Sequence, residues 1–375
     1  MNKLNSYLLG ISIFLTAACS TNKALVHEGL PLIKSINKQV DYQIGDHWVR
    51  GGWSVVPEIP NDTLVVTCFS SRENFTFKTD VDSIAFTIKA GSIKRFYVLV
   101  GEDQYAHTVI VGKAFEAPLL SHTTEGENTA WKIKYQDEPS AYIEELRNKY
   151  PLSELISGWK SDQEKVLAVL NWTHQQWEHD GNQSPKKNDA ISILDEVSEG
   201  GRFPCFAYAI VLRDQLTTLG FKARTIYLKT ADAATSNRPP GHVATEVYLQ
   251  DIGKWAFIDG QFNVMPTLKG VPLNAVEFQA AISRQITDFK LETLSKESPT
   301  TKREYVDFVF DYLYYFDTTL DNRYDSKERF AIEGKRSLML VPTGAKALTR
   351  INFWDMEVDY CLYTHSLQDF YAKPE

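Results

Sequence analysis

The hydrophobic period changes once along this chain, and that change restricts the fold to a class in which sheet and helix come from separate stretches. Before the change, short segments rich in Val, Ile, Thr, Phe and Tyr follow one another: "DTLVVTCF", "NFTFKT", "DSIAFTIKA", "KRFYVLVG" and "AHTVIVG", separated by Gly, Asp, Asn or Ser. Such segments, packed into about 70 residues and ending near Gly112, predict a small antiparallel β-sandwich. From about residue 138 the apolar residues recur at helical spacing. "SDQEKVLAVLNWTHQQWEHDG" opens with Ser161 and Glu164 in capping-box spacing and closes at Gly181. A shorter helix is expected at "NDAISILDEVSEGG". Another starts at Cys205 and stops at Gly220, followed by strand candidates "KARTIYLKT", "HVATEVYL" and "KWAFIDG". The expected fold class is α+β.

The chain has 375 residues, 43% of them hydrophobic, and can bury more than one core. The expected organisation is a leader at 1–18, a tether at 19–45, a β-sandwich domain at 46–117, a mixed domain at 130–290 and a β-rich extension at 291–375. The leader reads "MNKLNSYLLGISIFLTAAC": a positive start at Lys3, an apolar stretch too short to span a bilayer, and small residues before Cys19. Its "LTAAC" ending resembles the lipobox of bacterial lipoproteins. That resemblance implies cleavage before Cys19, lipidation of its thiol and membrane association through the lipid, most simply at the outer membrane facing the periplasm. Setting Cys19 aside leaves Cys68, Cys205 and Cys361, an odd number, so at least one thiol is unpaired within the chain. A net charge of -8, with no run of Lys or Arg, argues against nucleic acid as a partner.

Cys205, Ala209, Leu212, Leu216 and Leu219 are spaced 4, 3, 4 and 3, which places the cysteine on the buried stripe of its helix. Spacing alone favours packing, since free cysteine is among the most often buried residues. Its place favours chemistry. "GGRFP" is a loop that suits a helix start, and there the unpaired N–H groups and the positive dipole end stabilise a thiolate. A thiolate still needs a base and a group to orient that base. His242 opens a strand whose partner is "KWAFIDG". If Leu249 pairs with Lys254, His242 lies opposite Gln261 and Asp259 is its diagonal neighbour on the same face. A slip of one residue would move Asp259 to the other face.

The combination "GRFPCFAYAIVLRDQLTTLGFKART", "GHVATEVYLQDIGKWAFIDGQFN" and the upstream "LNWTHQQWEHDG" leading to "DAISIL" resembles the transglutaminase-like superfamily, over about residues 138 to 285. The likeness is strongest to Bacteroides-group lipoproteins that carry such a domain behind an N-terminal sandwich. It implies a papain-like core, with a cysteine helix packed on an antiparallel sheet. It also implies a nucleophile at Cys205, a base at His242 and an orienting carboxylate at Asp259. The implied chemistry is a thiol-dependent hydrolase of peptide or amide bonds. A protein-crosslinking acyl transferase and a catalytically silent binding module are the competing functions, and the implied partner is a peptide or protein substrate.

The backbone N–H of Cys205 is the natural first oxyanion donor. For the second, some relatives use a Trp or Gln from an earlier helix, which points to Trp172, Gln176 and Trp177. No cofactor is expected. His174 and His179 stand five apart, about 140° around a helix, unlike a zinc-binding pair. Arg224 reads as a structural ion-pair partner, and the aromatic run "YLYYFD" reads as core.

Overall fold

The computed structural model describes residues 25–126, 131–137, 139–296 and 299–374; the leader at 1–18 and Cys19 lie outside the described residues. Contacts divide the chain into two compact units, one of residues 1–68 and 72–113, the other of residues 69–71 and 114–375.

The first unit is a pair of sheets around one core. A five-stranded sheet runs in the order Val26–His27, Leu30–Ser35, Ile93–Val100, Gln104–Ala114, Asp62–Cys68; a four-stranded sheet runs His47–Ser54, Gln39–Ile44, Glu73–Lys78, Ser83–Ile88. Alternation sets the packing. In Asp62–Cys68 every second residue is buried, as a half-covered strand requires. Phe75 and Phe77 from one sheet meet Phe96, Val98 and Ile110 from the other.

One expectation is corrected here. Strands begin at Val26, inside the stretch expected as a tether, and Ile33, Val40 and Ile44 of that stretch are in the core. Their pattern was hidden because Leu30–Ser35 carries Pro31 and Lys34, and because a bulge between Val40 and Tyr42 breaks the alternation of Gln39–Ile44. The two sheets pair antiparallel, as expected, in all but one of the registered strand pairs. Leu30–Ser35 pairs with Ile93–Val100 in parallel, because the two strands are distant in sequence and no hairpin sets their direction.

The second unit is built on a six-stranded sheet in the order Lys254–Ile258, Gly241–Leu249, Lys222–Lys229, Tyr315–Thr319, Ser337–Leu340, Cys361–Thr364. All its pairs are antiparallel except the last. Half of these strands come from the stretch expected to be a separate extension. That stretch completes the central sheet, through pairs such as Tyr227 with Asp317 that lie too far apart in sequence for local pattern to reveal.

Helices cover both faces. Leu212 and Leu216 of helix Cys205–Thr218 pack with Val247, Leu249, Ala256 and Ile258, together with helix Asp162–His174. On the other face Ile226, Leu228, Ala244 and Phe257 meet helices Ala275–Gln285 and Lys302–Val309. The Cys205 helix ends as its sequence predicts: Phe221 N–H donates to the Leu216 carbonyl at 3.1 Å across Gly220, whose φ of +88° is a left-handed value that a side chain would strain.

Between the second helix layer and the sheet, Arg224 and Glu246 form a fully buried ion pair at 2.8 Å. Arg224 also lies over the rings of Trp255 and Phe370, and Glu246 accepts from the Ala275 N–H and the Tyr371 hydroxyl. These bonds offset the desolvation that burying two charges costs. Arg224 is therefore the structural partner its sequence position suggests.

Candidate active site

Cys205 is the first residue of helix Cys205–Thr218, preceded by Pro204 in extended conformation, and no side chain caps that helix. The loop leading to it is held by its own backbone. The Phe203 carbonyl accepts from the Trp177 indole at 3.1 Å and from the Asp180 N–H at 3.3 Å. Cys205 is half-buried, whereas Cys68 and Cys361 are buried.

His242 enters from the start of strand Gly241–Leu249, where Gly241 permits close approach: a Cβ there would lie 2.9 Å from the Trp354 ring. Leu249 pairs with Lys254 and Thr245 with Ile258, so the register is the one that sets Asp259 diagonal to His242. The strand stops at Ile258 and Asp259 bridges Val264 instead. His242 Nε2 lies 2.7 Å from Asp259 Oδ2, with both side chains buried. The Cys205 side chain lies close enough to the same imidazole to raise its pKa.

Electrostatics favour the imidazolium. Burial alone would lower the pKa of His242, but the Asp259 charge and hydrogen bond, aided by Cys205, raise it to about 10. Asp259 is held at four points. Oδ2 also accepts the Tyr305 hydroxyl at 2.8 Å, and Oδ1 faces the Gln261 and Phe262 N–H groups at 3.0 and 3.4 Å. Burial and the Asp259 charge push the Tyr305 hydroxyl well above its ordinary pKa, so it stays protonated and donates. Phe308 meets the His242 ring edge to face at 5.1 Å, and Tyr312 lies tilted at 6.0 Å.

The structure thus brings together Cys205, His242 and Asp259. The three proposed oxyanion side chains have other positions. Gln176 donates to the Trp172 carbonyl at 2.7 Å, and Trp172 packs between two clusters of the core. Trp177 gives its only N–H to Phe203 and stacks on Tyr208 at 4.1 Å; it positions the loop before Cys205. His174 Nδ1 is paired with the Gly260 carbonyl at 3.2 Å. His179 is lowered by burial and by the charge of His242.

Sequence reasoning missed Tyr305 and Phe308. Both lie on helix Lys302–Val309, and with Tyr312 they are spaced 3 and 4 apart, which is the signal of a helical face. The run "YLYYFD" divides: Tyr312 reaches the site, and Phe316 is core.

Residues 152–260 match the family model of the transglutaminase-like superfamily, so this segment, which contains Cys205, His242 and Asp259, is a transglutaminase-like domain. Its papain-like core is the cysteine helix packed on the sheet. Similar solved structures include one from Cytophaga hutchinsonii, provisionally named a cysteine protease, at 19% identity over 44% of this chain and 56% of that one, with a TM-score of 0.27. A second, from Parabacteroides distasonis and provisionally named a protease, is 13% identical over 45% of this chain and 36% of that one, with a TM-score of 0.22. The chain therefore spans little more than half of the first structure's length and about a third of the second's. No curated protein matches the chain.

Proposed function

We propose that the protein is a thiol-dependent hydrolase of peptide or amide bonds, working through Cys205, His242 and Asp259. The observation that supports this reading is a buried imidazole paired with a four-fold held carboxylate, with the Cys205 side chain at the helix start close enough to raise the pKa of that imidazole.

In this mechanism Cys205 Sγ, as thiolate beside the His242 imidazolium, attacks the amide carbonyl and forms the C–S bond. The negative charge developing on oxygen meets the N–H groups of the uncapped helix start, beginning with that of Cys205. His242 gives a ring proton to the amide nitrogen as the C–N bond breaks, leaving a thioester. Water then attacks the thioester carbonyl and passes a proton to His242. The C–S bond breaks, and thiolate and imidazolium are restored. Asp259 holds the ring throughout, and Tyr305 holds Asp259.

If a primary amine replaces water in the second half, the same site is an acyl transferase. The test uses unfractionated peptides and a fluorescent primary amine, with wild-type and Cys205→Ala protein. Release of new amino termini by the wild type alone supports the hydrolase. Amine incorporation without release selects acyl transfer, and absence of both sinks the catalytic reading. The expected lipid on Cys19 places this activity at the outer membrane, facing the periplasm; loss of membrane association in a Cys19→Ala variant is the outcome to look for.

A further inference from the structure

Strands Arg350–Ile351 and Met356–Glu357 form a hairpin whose tip carries an exposed aromatic pair. Phe353 and Trp354 are 42% and 47% exposed, with ring centroids 6.0 Å apart at 76°. Two exposed rings in contact on a fixed tip mark a surface that something covers in use. The tip is fixed by its neighbours. Ile351 is buried with Ala233, and the Asn352 N–H donates to the Ala233 carbonyl at 3.1 Å. Asn352 Nδ2 donates to the Ser236 carbonyl at 3.2 Å and to Asn237 Oδ1 at 3.1 Å. All these partners lie on the connection between strands Lys222–Lys229 and Gly241–Leu249, which leads into His242.

The Trp354 ring rests against the start of that strand: a Cβ at Gly241 would stand 2.9 Å from its Cη2 and 3.4 Å from its Cζ3. Alternation sends position 241 to the sheet face opposite the His242 side chain. That face receives the Cys205 helix, since Thr245, four residues further along, donates its hydroxyl to the Ala209 carbonyl at 3.1 Å. Leu212 and Leu216, further along the helix, pack with Val247 and Leu249, further along the strand, so the two run in one direction. Gly241 lies roughly 13 Å before Thr245 along the strand, and Cys205 roughly 6 Å before Ala209 along the helix. The Trp354 ring therefore stands ahead of the helix N-terminus, roughly 7 Å beyond the level of Cys205. A carbonyl approaching the N–H groups of that terminus comes from this side.

The polar side chains of the tip are already engaged. The Asn352 amide is spent on the connection, and Arg350 pairs with Asp355 and, at 2.6 Å, with Glu357. A sugar ring seated on an aromatic face also needs donors and acceptors for its hydroxyls, and these side chains have given theirs to one another. An aromatic side chain needs only ring faces and edges, and it gains from burial and from edge-to-face or offset packing. The tip offers that and little else.

We propose that Trp354, with Phe353 beside it, selects substrates that carry an aromatic side chain next to the cleaved amide, by packing that ring ahead of the Cys205 helix. The inference rests on the thiol-hydrolase reading and names its substrate class. Trp354 meets the substrate but no reacting atom, so it sets specificity and leaves the chemistry to Cys205 and His242. The preference comes from outside the transglutaminase-like segment: residues 152–260 hold the cysteine, histidine and aspartate, and the hairpin after residue 349 adds the ring that sorts substrates.

Alkylation of Cys205 tests this without requiring turnover. Full-length protein is treated with the iodoacetyl amides of benzylamine, ethylamine and glucosamine, and the Cys205 adduct is followed by mass spectrometry. Each rate is divided by that of the same reagent with free cysteine, and ratios between reagents within one protein cancel the reactivity of its thiolate. In the wild type the benzyl amide is expected to lead the ethyl amide by about tenfold. Trp354→Ala should abolish that lead, and Trp354→Phe, which restores a ring, should keep most of it. Equal benzyl and ethyl rates in the wild type, a lead that survives Trp354→Ala, or faster labelling by the glucosamine amide would overturn the proposal. A lead that depends on Trp354 in a protein whose wild type cleaves no peptide would leave the selection standing and defeat the hydrolase reading alone.

Discussion

Tyr305 donates its hydroxyl to the same Asp259 oxygen that pairs with His242, at 2.8 and 2.7 Å respectively. That oxygen lies between a helix that follows the transglutaminase-like segment and a strand within it. Tyr305→Phe keeps the ring and removes the bond. We expect kcat to fall about tenfold with KM changed less than about twofold, and unfolding free energy to drop by about 1 kcal/mol. Steady-state kinetics with urea melts checks this. A KM effect at unchanged kcat would place Tyr305 outside the chemistry.

The pH dependence of stability follows from His242. Its pKa is raised from the ordinary imidazole value, near about 6.5, to about 10 in the folded chain. A group raised on folding contributes stability that is full below its unfolded value and is lost as pH climbs through the folded one. Relative to His242→Gln, the wild type should therefore lose its advantage steadily between about pH 6.5 and pH 10, as read from urea midpoints. A difference that is flat across that window would contradict the Asp259–imidazolium pairing.

Trp177 donates its indole N–H to the carbonyl of Phe203, two residues before Cys205. Trp177→Phe preserves the stacking surface on Tyr208 but removes the indole N–H that the Phe203 carbonyl accepts. The cost to stability is expected at about 1 kcal/mol, because the Asp180 N–H still serves that carbonyl. The alkylation rate of Cys205, followed by mass spectrometry, should fall several-fold as the loop before it loosens. An unchanged rate would make Trp177 a core residue only.

The Arg224–Glu246 pair is a stability element remote from the chemistry. Glu246→Ala strands a buried guanidinium, a change that costs about 3–5 kcal/mol. The double variant Arg224→Met, Glu246→Leu should recover most of that loss, because a buried pair is commonly replaceable by apolar groups of similar volume. Thermal melts of the single and double variants decide it; a double variant as unstable as the single one would show that the pair itself is needed.

The sequence was legible where structure is local. The change of hydrophobic period, the Ser161 and Glu164 capping box, the Gly220 stop and the pairing of Leu249 with Lys254 all appear in the fold. From the last of these the diagonal placement of Asp259 against His242 follows. What was not legible depends on distant partners. Strand Gln39–Ile44 was hidden by its bulge, and the strands after residue 291 by their long separation from strand Lys222–Lys229. Tyr305 was hidden in a charged helix whose aromatic face is recognisable only once its neighbour, Asp259, is known. The oxyanion expectation failed at Trp177 for a similar reason, since a nearby carbonyl had already taken its single donor.

The central claim is that His242 activates Cys205. The direct measurement is the rate of Cys205 alkylation by iodoacetamide against pH, in wild-type and His242→Ala protein, with the buried Cys68 and Cys361 as internal references. Coupling predicts that near about pH 6 the wild type reacts at least about tenfold faster than the variant, and that this lead shrinks as the solution becomes alkaline. Equal, slow labelling of Cys205 in both proteins would show that sulfur and imidazole are neighbours without being partners.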